Sequence, residues 1–95
     1  MRSYFLLSYD ISDPARWRRI HRIARDFGDP IQYSVFLCEL GDRDMTTLQE
    51  RVKSVINSDE DQVLLIRLRA GEDVEGIFDT MGRPVEVVDR DFLIY

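Results

Sequence analysis

Two kinds of residue near the N-terminus could do chemistry together: one carboxylate, Asp10, and the arginines that follow it, Arg16, Arg18, Arg19, Arg22 and Arg25. The carboxylate closes an apolar run, Tyr4-Phe5-Leu6-Leu7, within the stretch Ser8-Tyr9-Asp10-Ile11-Ser12-Asp13-Pro14. Strand ends of this kind are where proteins with mixed helices and sheets place ligands and chemistry. A strand-end carboxylate suits a hard cation such as Mg²⁺, with waters and phosphate oxygens taking the remaining positions. Such an ion could activate water against a phosphodiester and neutralise the developing charge. One chain offers one carboxylate of this kind; two chains, with their Asp10 side chains near a common axis, offer two. The same residue could instead cap the turn into the next helix or pair with an arginine.

The arginines also allow two readings. A basic stripe suits phosphate contacts, and it is equally the form of a solvated helix face. Arg16 and Arg19 stand nearest the strand end, whereas Arg18, Arg22 and Arg25 lie opposite the apolar side of the helix. His21 borders that apolar side and is expected to be a half-buried helix residue rather than a general base. Ser34 and Cys38 have no visible base partner, which argues against nucleophilic catalysis.

The elements that must position these residues follow from periodicity. Residues 3–10 form a nearly continuous apolar run and are expected to be a central strand. Asp13 makes a good N-cap with Pro14 at the first helical position. Trp17, Ile20, Ile23, Ala24 and Phe27 then mark one face of a helix, which Gly28 ends before an Asp29-Pro30 turn. Residues 31–40 alternate and are expected to form a second strand. Asp44 is placed to cap a second helix, striped by Met45, Leu48, Val52, Val55 and Ile56. After a polar turn at 57–61, residues 62–69 give a third strand. A loop at 70–84, with one helical turn at 74–80, leads to a fourth strand at 85–88 and a strand-like tail, Phe92-Leu93-Ile94-Tyr95. The pattern is that of an α+β two-layer sandwich. It becomes a ferredoxin-like βαββαβ arrangement if 31–40 is a bent, hairpin-like strand.

Alternation puts Tyr4, Leu6 and Ser8 on the face of Asp10. Continued through the later strands, it adds Gln32, Ser34, Phe36 and Cys38, then Val63, Leu65, Arg67 and Arg69. The opposite face, with Phe5, Leu7, Tyr9, Tyr33, Val35, Leu37, Leu64, Ile66 and Leu68, is expected to carry the two helices. The Asp10 face then holds too much apolar surface to stay wet. A homodimer closed by a two-fold axis is expected to cover it, with the tail at 89–95 pairing at the dimer edge. Ser12, Ser34 and Phe36 are the residues expected to shape the site or this interface.

Length and charge narrow the class. The 95 residues predict one domain over 1–95, and 44% hydrophobic with 33% charged residues is a soluble globular composition. The apolar runs are too short to span a membrane and no signal peptide is visible, so a cytoplasmic protein is expected. A single cysteine excludes an internal disulfide and a cysteine-built metal site. Net charge is −5, but residues 1–25 carry +4 and residues 26–95 carry −9. A polyanionic partner would therefore meet the Asp10 end.

Taken together, Tyr9-Asp10-Ile11-Ser12-Asp13, the arginine-rich helix and Gln32-Tyr33-Ser34-Val35-Phe36 at this separation resemble the small CRISPR-associated nuclease family called Cas-two. The resemblance covers residues 1–69 most closely. It implies a ferredoxin-like fold and a homodimer. It also implies Mg²⁺, or Mn²⁺, shared by Asp10 of both protomers. By the same resemblance Arg19 matches a basic position near substrate and Phe36 matches the aromatic of the second motif. The implied function is a metal-dependent endonuclease of single-stranded RNA or double-stranded DNA. It also implies a DNA-bridging dimer that works with the CRISPR integrase in spacer acquisition for antiviral defence. A non-catalytic scaffold of the integrase complex and a toxin-type ribonuclease are the alternatives on this fold. Two positions depart from the family pattern: Pro30 stands where many members have a basic residue, and Leu37 where many have Glu.

Overall fold

The computed structural model describes residues 2–68 and 81–83. Its elements run β1 (Ser3–Asp10), α1 (Pro14–Phe27), β2 (Gly28–Gln32), β3 (Val35–Leu40), α2 (Asp42–Lys53) and β4 (Gln62–Arg67). Among the described residues the sheet has four strands in the order β2-β3-β1-β4, with every neighbouring pair antiparallel. That is the βαββαβ order of a ferredoxin-like sandwich. The expected strand at 85–88, the tail at 89–95, the helical turn at 74–80 and Arg69 lie outside the described residues.

β1 sits centrally, between β3 and β4, as its apolar run requires. α1 begins where Asp13 accepts a hydrogen bond from the Arg16 backbone N–H at 2.9 Å, with Pro14 at the first turn. α2 starts two residues earlier than its expected cap. Gly41 is its N-cap, while Asp44 lies inside the first turn and pairs with Arg2 at 3.0 Å. Asp42 and Asp44 suit the positive end of the helix dipole there.

The expected single strand over 31–40 is a hairpin. β2 begins directly at Gly28, includes Pro30 and turns at Tyr33-Ser34 into β3. Pro30 is tolerated because β2 is an edge strand, and the register shifts between Pro30 and Gln32, next to it. Gly28 is required by closeness: a Cβ there would lie 2.5 Å from both the Cys38 Sγ and the Leu37 carbonyl oxygen.

One face of the sheet carries both helices. Leu7, Tyr9, Phe36, Cys38 and Leu40 pack there against Ile20, Ile23 and Ala24 of α1 and Leu48 and Val52 of α2. Val63 and Leu65 join from β4. The register places Phe36 and Leu65 beside Leu7, and Val63 beside Tyr9. This corrects the phase expected for two strands. Phe36, Cys38, Val63, Leu65 and Arg67 share the face of Leu7, not that of Asp10. The Asp10 face instead carries Tyr4, Leu6 and Ser8 with Val35, Leu37, Glu39, Leu64 and Ile66. The reason is physical: β3 and β4 present apolar residues to both sides, so alternation gives no sign for which side meets the helices. On the Asp10 face Leu64 and Ile66 are 45% and 47% exposed.

Candidate active site

β1 ends at Asp10, and the chain must then turn before Asp13 can cap α1. The β2–β3 hairpin comes up beside this turn. The Tyr9 backbone N–H donates to the Ser34 carbonyl at 3.2 Å, which fastens the hairpin tip to the strand end. Between them lies an open cleft of about 570 Å³, lined by Tyr9, Asp10, Ile11, Ser12, Pro14, Trp17, Arg18, Tyr33 and Ser34.

Asp10 is exposed at this cleft, and its side chain makes no hydrogen bond or ion pair with the described residues. The capping role falls to Asp13 and the pairing with an arginine to Asp61, so neither accounts for Asp10. Ser12 and Ser34 place hydroxyl-bearing residues on the same cleft. Phe36 does not reach it or the Asp10 face of the sheet. It is fully buried, stacked near Tyr9 at 6.2 Å and edge-on to His21 at 5.5 Å, so it supports the cleft from beneath.

The arginines divide. Arg16 is taken up by the turn before β4: its Nε donates to Asp61 at 2.7 Å and its Nη2 to Glu60 at 3.0 Å. The Asp61 side chain is fully buried and also accepts from the Asn57 backbone N–H, and the Arg16 hydrogen bond holds its carboxyl below the usual carboxylate range. Arg16, expected among the nucleic-acid-binding residues, clamps α1 to the α2–β4 turn. Arg18, Arg19, Arg22 and Arg25 are exposed and make no ion pair with the described residues. Arg18 lines the cleft, although Arg19 was expected to be the nearer.

Beside the arginines runs an aromatic column that periodicity alone did not reveal. Tyr33 stacks on Trp17 at 5.0 Å and 20°, and Trp17 stacks on His21 at 4.6 Å and 12°. His21 Nδ1 and the Tyr9 hydroxyl share a hydrogen bond of 2.7 Å. Burial, helped by the nearby Arg25, lowers the His21 pKa below its ordinary value. Burial, and the neighbouring Tyr33, push Tyr9 up to about 12. His21 is half-buried on α1, as expected, with its imidazole held inside the aromatic stack. The i, i+4 spacing of Trp17 and His21 carried a signal for their contact. Tyr33 was expected on the sheet face that carries the helices; it stands instead at the tip of the hairpin inside 31–40 and is 76% exposed.

The donor chemistry at Asp10 suits a hard divalent cation, which keeps several waters and takes one or two carboxylates. Among the described residues no group of three or more His, Cys, Asp or Glu side chains could hold a metal. No helix among the described residues is long and apolar enough to cross a membrane.

Comparison with known proteins agrees with this fold. Residues 1–75 match the family model described as CRISPR associated protein Cas2. The chain is 31% identical over 90 residues to the CRISPR-associated endoribonuclease Cas2 1 of Rhodospirillum rubrum, covering 95% of this chain and 88% of the relative. It is 30% identical to the CRISPR-associated endoribonuclease Cas2 of Geobacter sulfurreducens, covering 99% of each. The crystal structure of Streptococcus pyogenes Cas2 superposes with a TM-score of 0.72 at 24% identity, over 83% of this chain and 99% of that one.

Proposed function

The chain belongs to the Cas2 family of CRISPR-associated proteins, and from that premise we propose that it is a magnesium-dependent endonuclease acting as a homodimer. The observation that carries the reading is Asp10: an exposed carboxylate with no side-chain partner among the described residues, set in a cleft with Ser12, Ser34 and Arg18. A carboxylate and a guanidinium that no described side chain pairs, lining one cleft, are candidates for phosphodiester chemistry. Asp10 of each protomer would hold the ion, which supplies an activated water and screens charge on the phosphate; Mn²⁺ would serve similarly. Arg18 would bind a phosphate next to the scissile one. The names of the relatives favour RNA as a substrate, and duplex DNA is the alternative.

The homodimer rests on the Asp10 face of the sheet. Leu64 and Ile66 are exposed there beside Leu6 and Val35, a surface that a two-fold partner would cover. A second role has its own support. Arg19, Arg22 and Arg25 continue the basic stripe along α1 beyond the cleft. Such a stripe suits a dimer that bridges DNA alongside the CRISPR integrase, whether or not the cleft cuts.

Cleavage of single-stranded RNA and of duplex DNA, with and without Mg²⁺, tests the enzyme reading. The Asp10→Asn protein is expected to lose activity about a hundredfold or more while still binding nucleic acid. Equal cleavage by wild type and Asp10→Asn overturns the assignment of Asp10. Binding and spacer acquisition retained without any cleavage would leave bridging as the function.

A further inference from the structure

Tyr33 is 76% exposed, yet its ring is not loose. One side is stacked on Trp17, whose ring lies nearly parallel to that of His21. His21 is anchored in turn by the Tyr9 hydroxyl at 2.7 Å and by the edge contact with buried Phe36. The hairpin tip itself is tied to β1 through the Tyr9 N–H and the Ser34 carbonyl. An exposed aromatic ring is thereby held in one orientation, with one face built into a column and the other left to solvent. Tyr33 and Trp17 line the same cleft as Asp10 and Arg18.

We propose that the free face of Tyr33 is a base-stacking subsite, on which an unpaired base of the nucleic-acid strand lies while Arg18 takes a neighbouring phosphate. The inference rests on the nucleic-acid reading of the cleft and adds to it a residue that selects unpaired bases. Every base has a π-face, so stacking tolerates any sequence, but a base inside a duplex has already buried both faces. A ring fixed in advance loses little freedom when a base lands on it, which favours binding. Tyr33 is thus a specificity residue for single strands, and Asp10 and Arg18 act at the backbone.

The test uses a single strand of about 12 nucleotides, in RNA and DNA versions, and the same strands carrying abasic sites. Binding is followed in EDTA by the anisotropy of a labelled strand and by the fluorescence of Trp17, the only tryptophan in the chain. Wild type is expected to show quenching of Trp17. Tyr33→Ala should weaken single-strand binding roughly tenfold, Tyr33→Phe should restore it, and duplex binding should not change. The abasic strand should bind wild type about as weakly as the intact strand binds Tyr33→Ala. If wild type binds both kinds of strand equally, or Tyr33→Ala binds like wild type, the stacking subsite is overturned while the reading of Asp10 stands. If Tyr33→Ala changes only the oligomeric state, Tyr33 is an interface residue and the inference also fails. A wild type that binds no strand at all overturns the functional reading and this inference with it.

Discussion

Asp10 and His21 show how neighbouring residues take opposite roles through their surroundings. Asp10 is exposed and its side chain has no partner among the described residues. His21 shares a hydrogen bond with Tyr9 and is stacked on Trp17. Burial and Arg25 disfavour the imidazolium, so the unfolded chain binds that proton more readily than the folded one. The resulting stability is fully present above the ordinary value of 6.5 and is lost as pH falls below it. Chemical denaturation between about pH 7 and about pH 5 should therefore give a declining unfolding free energy. His21→Phe keeps a ring in the column but cannot titrate. It should flatten that decline and cost about 1 kcal/mol at neutral pH, because the Tyr9 hydroxyl loses its partner. The same decline in His21→Phe would place the titrating group elsewhere.

At the scale of elements, the site depends on how α1 and the hairpin are joined. Gly28 carries the chain from the helix straight into β2 with no room for a Cβ beside Leu37 and Cys38. Gly28→Ala should lower stability by about 1–3 kcal/mol in denaturant titrations, since backbone or a buried side chain must shift. An unaltered midpoint would mean that this crossing has slack. The outward face of α1 makes a separate prediction. If Arg22 and Arg25 meet phosphates, replacing both with Ala should reduce the slope of log K against log salt on duplex DNA by about 2. An unchanged slope would assign the stripe to solvent. Much of this arrangement was legible beforehand. Asp13-Pro14 marked the start of α1, the Trp17 to Phe27 spacing gave its buried face, and the run into Asp10 marked a central strand. The hairpin was not, because Pro30 suggests a turn until β2 is known to be an edge strand. Phe36 was assigned to the wrong face because Val35 and Leu37 are as apolar as Phe36 and Cys38. Only pairing with β1 distinguishes the two sides. The pairing of Arg16 was hidden for a related reason: its partners Asp61 and Glu60 are more than forty positions away, beyond the reach of any local pattern.

For the whole molecule, charge and shape point to the same end. The chain carries −5 overall but +4 within residues 1–25, and of the arginines in that segment Arg18 lines the cleft. The sheet face ending at Asp10 leaves Leu64 and Ile66 exposed, so a two-fold pairing over it would bring two copies of the strand end together. The central claim is that the two Asp10 carboxylates form one site. Mixing tests it most directly: wild-type and Asp10→Asn chains are unfolded together in known ratio, refolded, and assayed for Mg²⁺-dependent cleavage. A shared site requires Asp10 from both chains, so activity should follow the square of the wild-type fraction, and an equal mixture should retain about a quarter of wild-type activity. Activity proportional to the wild-type fraction, about half in the equal mixture, would mean that each protomer works alone and would contradict the shared site.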